Sequence, residues 1–197
     1  QASLLLNNIQ GEEATVMQTD NILAASQRSD VKDLALKGMS INTGNTSISL
    51  PPSMLSKSPA AGGSSFDVHA TTWEKDPFAY TEPENITISW MNETGYNFTE
   101  FRPKTLRSKV FSLSVNTGRA STPIAMLDEP ILIALENTAP FLENETNNAY
   151  GPQLTQSCQY FDLVTSKWNT DGCVASNLST NVTTYCLCSH LTDFGVG

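Results

Sequence analysis

The chain has 197 residues, enough for one mid-sized domain with a sizeable core. Twenty acidic residues against eleven basic ones give a net charge of −9, and the few Lys and Arg are scattered, which argues against nucleic acid or an anionic membrane surface as partner. No run reaches the roughly 20 apolar residues that a membrane-spanning helix needs, since the best stretch, PIAMLDEPILIAL, is broken by Asp128, Glu129 and Pro130.

The first residues lack the basic start and apolar centre of a signal peptide, so the sequence reads as a piece of something longer. Residues 1–36 read as a helical segment. EEATVMQTDNILAASQR opens with acidic residues, closes with Arg28 and carries Val16, Met17, Ile22, Leu23 and Ala24 on a broad apolar face.

After Asp30 the texture changes. From 37 to 197 short stretches rich in Ile, Val, Thr, Phe and Ser alternate with Gly, Pro, Asn and Asp, the pattern of an antiparallel β-sandwich. SISL, SSFDVHATTW, NITISWM, SKVFSLSV and PILIAL are the clearest predicted strands. In SKVFSLSV, Phe111, Leu113 and Val115 alternate with Val110, Ser112 and Ser114, so one face can pack inward. SKSPAAGGSS at 56–65 reads as a flexible loop. His69, in the middle of a predicted strand, reads as a strand residue without a catalytic role.

Asn-x-Ser/Thr sequons stand at Asn45, Asn85, Asn92, Asn97, Asn144, Asn177 and Asn181, and all four cysteines fall in the last forty residues. Together they point to the secretory pathway, glycans and oxidised thiols. Cys186 and Cys188 leave the same face of a strand and pair poorly with each other. Two pairings remain open: Cys158 with Cys186 and Cys173 with Cys188, or the crossed alternative. Either way the end of the chain is clamped to the upstream hairpin QYFDLVTSKWNTDGC, each loop contributing about 3 kcal/mol on the loop-entropy model. Cys-x-Cys-x-His with two more cysteines could also supply zinc ligands, but oxidised sulfur is no thiolate.

His190, Leu191 and Thr192 follow the last cysteine after one residue, Ser189. A histidine titrates near neutrality and can take a hydroxyl proton, which would make Thr192 a nucleophile toward the carbonyl of Leu191. An amide would become an ester, which water hydrolyses. On a regular strand residues two apart are separated by about 6.5 Å, so a bend at Leu191 is predicted, with strain in the scissile bond.

The order CQYFD, WNTDGC, TYCLCSHLTDF resembles the GPCR proteolysis site (GPS), which ends the GAIN domain of adhesion G-protein-coupled receptors and polycystin-1-like proteins. The motif spans residues 158–197. The resemblance implies a GAIN subdomain B sandwich, with residues 1–36 the end of, or junction to, the helical subdomain. It implies cleavage between Leu191 and Thr192, with His190 as general base, and Cys158–Cys186 and Cys173–Cys188 as the pairs. Trp168 becomes a buried packing residue of the site and Gly172 a structural one. The domain would act once upon itself rather than turn over as an enzyme, with no cofactor and no metal. The strand Thr192, Asp193, Phe194, Gly195, Val196 would stay bound after cleavage and serve as tethered agonist for a following membrane domain. The expected setting is the extracellular side of a cell-surface receptor that meets extracellular protein ligands. Phe194 fits adhesion receptors, whereas Gly195 and Gly197 are more similar to polycystin-like relatives. The alternative reading is a non-cleaving, adhesive or structural sandwich. In a regular strand, Thr192, Phe194 and Val196 would share one buried face.

Overall fold

The structure is a computed structural model that describes residues 13–56, 65–79, 85–91, 94–103, 105–117, 120–139 and 155–197. The strands are β1 (Thr15–Gln18), β2 (Ile22–Asp30), β3 (Met39–Thr43), β4 (Thr46–Leu50), β5 (Ser65–Trp73), β6 (Asn85–Met91), β7 (Asn97–Pro103), β8 (Val110–Thr117), β9 (Ala120–Ser121) and β10 (Ile131–Glu136). β11 (Cys158–Asp162), β12 (Lys167–Asn169), β13 (Cys173–Ala175), β14 (Thr183–Cys188) and β15 (Asp193–Val196) complete them. The helix described is α1 (Val31–Lys37).

Two antiparallel sheets face each other across one core. The larger runs β1-β2-β5-β8-β15-β11-β12, with β9 paired to β8, and the smaller runs β13-β14-β10-β4-β3. β6 and β7 pair with each other as a separate hairpin. Strict alternation builds the interface: β5 buries Phe66, Val68, Ala70 and Thr72, and β8 buries Phe111, Leu113 and Val115. Ile41, Ile48, Ile131, Ile133 and Leu135 answer from the smaller sheet. Thr43 and Thr72 hydrogen-bond to each other across the core at 2.8 Å, which offsets part of the cost of burying two hydroxyls.

The start of the chain corrects the sequence reading. Residues 15–30, expected as helix and as preceding the sandwich, form β1 and β2 of the larger sheet. β2 pairs with β5 over nine residues, from Ile22↔Trp73 to Asp30↔Ser65. That ladder and the burial of Ala25 outweigh the modest helical preference of Ala, Gln and Arg. The helix begins only where the sheet ends. Asp30 caps it by accepting from the Lys32 N–H, and Gly38 at φ +68° closes it. Residues 1–12 and 57–64, the latter most of the expected loop, lie outside the described residues.

The C-terminal strand is central. β15 pairs with β11 through Cys158↔Val196 and Tyr160↔Phe194, and with β8 through Asp193↔Ser112 and Phe194↔Phe111. Past β8 the ladder continues, with Arg107 N–H donating to the Val196 carbonyl and the Val196 N–H donating to Ser108 Oγ.

Candidate functional site

β14 belongs to the smaller sheet and β15 to the larger, so the four residues between them carry the chain across the sandwich. The backbone bends at Ser189, at His190 and again at Thr192. The crossing is clamped on both sides. Cys158 of β11 bonds to Cys186 of β14 and joins the two sheets, while Cys173 of β13 bonds to Cys188, its register partner on β14. All four sulfurs are taken up in these bridges.

His190 is held by the turn between β12 and β13. Asn169 Oδ1 accepts from the backbone N–H groups of Thr170 and Asp171, which shapes the turn, and Gly172 completes it at φ +75°. A Cβ at Gly172 would lie 2.8 Å from Ser189 Oγ and 3.0 Å from His190 Cδ2. Glycine is therefore required twice, for the left-handed backbone and for the approach of the imidazole. The ring stands edge-on to Tyr160, 4.5 Å between centroids, and stacks 5.9 Å from Phe194. Its Nε2 is 3.2 Å from the Asp171 carbonyl oxygen and 4.0 Å from Cys173 Sγ. A carbonyl only accepts, so Nε2 carries the proton and Nδ1 is the ring's basic nitrogen.

The peptide bond after Leu191 is anchored on each flank by a different part of the fold. The Leu191 N–H donates to the Ile124 carbonyl at 3.0 Å, from the irregular segment after β9. The Thr192 carbonyl accepts from the Leu113 N–H of β8 at 3.2 Å. Thr192 Oγ1 donates to the Phe161 carbonyl at a long 3.4 Å. The side-chain hydrogen bonds of His190 and Thr192 thus run to Asp171 and Phe161. Left-handed backbone among the described non-glycine residues falls at Met126 and Ser166, so no φ strain resides in the tripeptide itself.

Beyond Thr192 the strand is enclosed. Phe194 and Val196 are buried in the core on the inner side, and Thr192, expected with them, is only half-buried because the chain still bends there. On the outer side Gly195 is buried beneath Leu106 and Trp168, whose atoms would come 3.0–3.3 Å from a Cβ. Trp168 is half-buried rather than buried: β12 is the edge of the larger sheet, so one part of the indole covers Gly195 while another meets solvent. Phe161 and Phe78 stack at 3.8 Å and extend this cover, with Trp168 edge-on to both. Asp193 accepts a short hydrogen bond from Ser112 Oγ of β8.

The remaining expected positions are dispersed. Asn45, Asn97, Asn177 and Asn181 are exposed, Asn85 opens β6, and Asn92 and Asn144 lie outside the described residues. Asn45 Nδ2 donates to Glu136 at 2.9 Å. His69 sits on the outer face of β5, its Nδ1 2.9 Å from Ser26 Oγ, with burial lowering its pKa. Ser112, Leu113, Ile124, Asp171 and Phe78 were not anticipated. They act through backbone groups or from strands more than 60 residues from the tripeptide or through a turn, and no local pattern marks them. The alternation in SKVFSLSV gives only Ser112's outward face.

Comparison with known proteins bears on the family and the fold. Mouse adhesion G-protein coupled receptor G4 is 27% identical over 123 residues, a match covering 57% of this chain and 4% of the receptor. The full extracellular region of zebrafish Gpr126/Adgrg6 superposes with a TM-score of 0.56 at 18% identity, covering 91% of this chain and 23% of that one. At that identity the likeness shows the fold. The family model described as GPS, GAIN subdomain B, matches residues 11–196, nearly the whole length including β1 and β2. The chain belongs to this family: it is a GAIN subdomain B carrying a GPS motif.

Proposed function

We propose that the domain cuts its own backbone once, between Leu191 and Thr192. His190 Nδ1 takes the proton of Thr192 Oγ1, and the oxygen attacks the Leu191 carbonyl carbon. The carbon–nitrogen bond breaks as the Thr192 nitrogen takes up that proton, leaving an ester between Leu191 and Thr192 Oγ1. Water then cleaves the acyl–oxygen bond, giving a Leu191 carboxylate, a free Thr192 amine and the restored hydroxyl. The observation that carries this reading is the independent anchoring of the scissile bond. Ile124 holds its N-terminal flank and Leu113 of β8 its C-terminal flank, so rotation about the bond is opposed by hydrogen bonds to two separate parts of the fold. Such pre-positioning is where intramolecular reactions gain most of their rate.

On this reading β15 remains in the sheet after cleavage and is the tethered segment, Thr192 to Val196, offered to a following membrane domain. The setting is the extracellular side of a cell-surface receptor, with the exposed sequons glycosylated and extracellular proteins as ligands. The long contact of Thr192 Oγ1 to Phe161 favours a second reading, a non-cleaving structural domain, in which that hydroxyl stays put. Mass measurement after denaturation separates them. The first expects two fragments for the wild type, ending at Leu191 and beginning at Thr192, and one uncut chain for His190→Ala and Thr192→Ala. An uncut wild type selects the second.

A further inference from the structure

We infer that Ser112 is a positioning residue for the Leu191–Thr192 bond, acting through Asp193. The inference rests on the self-cleavage proposed above and concerns a side chain on another strand, 81 residues from Asp193.

The argument begins with proton direction. Trp73 Nε1 donates to Ser112 Oγ at 2.9 Å, and an indole N–H cannot accept. The single hydroxyl proton of Ser112 is thereby left for Asp193 Oδ1, the short bond already described. The relay crosses three neighbouring strands, β5, β8 and β15, on the outer face of the larger sheet. It ends on the residue next to Thr192. In the same register, the Leu113 N–H holds the Thr192 carbonyl. Thr192 is thus gripped by its own carbonyl and by its neighbour's side chain, both from β8, while Leu191 is gripped by Ile124. The direction of Thr192 Oγ1 toward the Leu191 carbonyl depends on where β8 places this pair of residues.

The charges carried by the described strands next to Asp193 are held elsewhere. β8 has none, the one charge of β11, Asp162, is turned into its own turn by Val164 and Thr165, and Lys109 pairs with Glu74. On β5, Asp67 pairs with Arg28 and His69 with Ser26. Burial raises the Asp193 pKa, and the Ser112 hydrogen bond pulls it back toward the ordinary carboxylate range. Losing Ser112 therefore raises it further and neutralises the carboxylate at a higher pH.

The test follows cleavage with time in chain made by cell-free synthesis under oxidising conditions, by mass, at neutral and mildly acidic pH. Ser112→Ala is expected to cut at least about tenfold more slowly, since small misplacements of a reacting group cost that much or more. Its loss of rate on acidification should begin at higher pH than in wild type, and Ser112→Thr should restore both rate and profile. Asp193→Ala should be slow as well, and the double variant no slower than either single one, because the two act as a unit. If Ser112→Ala fails to form both disulfides, Trp73→Phe replaces it: the relay then loses its orienting donor, and a several-fold slowing is expected. A wild type that never cuts overturns the proposed function together with this inference. A cutting wild type beside an equally fast Ser112→Ala, or an equally fast Trp73→Phe where that replaces it, overturns the inference alone. So do additive effects, or a Ser112→Thr no faster than Ser112→Ala.

Discussion

β13 and β15 are both short strands near the end of the chain, and they are held by opposite means. β13 is the edge of the smaller sheet; Val174 is 62% exposed, and its one buried residue, Cys173, is covalently tied to Cys188. β15 lies in the interior of the larger sheet, with Phe194 at 1% exposure, and has no covalent tie beyond the backbone itself. An edge strand of three residues buries too little to stay in place, so it needs a bridge. A central strand bonded on both sides needs none. On the proposed function the difference assigns tasks: covalency fixes the turn against which His190 rests, whereas burial retains a strand whose backbone is proposed to be cut.

The largest effect should come from attacking burial. Phe194→Ala removes a fully buried side chain from β15, at a cost of about 3–5 kcal/mol. The cut protein should then lose the Thr192–Gly197 peptide in size-exclusion chromatography, while wild type keeps it. Wild type that elutes without the peptide would show that burial does not do what the comparison assigns to it.

Replacing Cys173 and Cys188 together by Ser attacks the covalent side. The loop between them spans 15 residues, so unfolding by denaturant should show a loss of about 3 kcal/mol. Cleavage should fall as well, since the Asp171–Gly172 turn loses its tie to β14. Retention of β15 in any protein already cut should change far less. Equal losses of retention from this pair and from Phe194→Ala would erase the distinction.

Gly172→Ala tests the turn without touching the bridge. The left-handed backbone and the contacts with Ser189 and His190 predict a cost of about 1–3 kcal/mol, with the imidazole displaced and cleavage slowed. Denaturant midpoints and cleavage rates read the two parts separately.

The smallest effect concerns pH. Asp193 has its pKa raised in the fold, first by burial, so the folded state holds a proton that the unfolded chain releases. Its contribution to stability is full below the unfolded carboxylate pKa near 3.9 and is lost as pH rises through the raised folded value. Mild acidification should therefore tighten retention of β15 slightly, and Asp193→Asn should flatten that dependence. Retention that weakens over this window in wild type and not in Asp193→Asn would contradict the sign.

Much of this protein was legible in local pattern. Alternation placed Phe111, Leu113 and Val115 on an inner face, turn residues marked the strand boundaries, and the spacing of four cysteines around Trp168 and His-Leu-Thr pointed to the family. These features are local or covalent, so a single stretch of residues contains them. Residues 15–30 were misread because helix and strand preferences differ there by little, and the nine-residue partner that decides between them, β5, begins 35 residues after β2 ends. The tertiary structure alone decided which groups meet the tripeptide. Asp171 offers a carbonyl to His190, Ile124 and Leu113 grip the flanks of the Leu191–Thr192 bond, and Ser112 reaches Asp193. Backbone carbonyls and amides are the same in every residue, and strand order sets which of them come together, so no side-chain motif announces them.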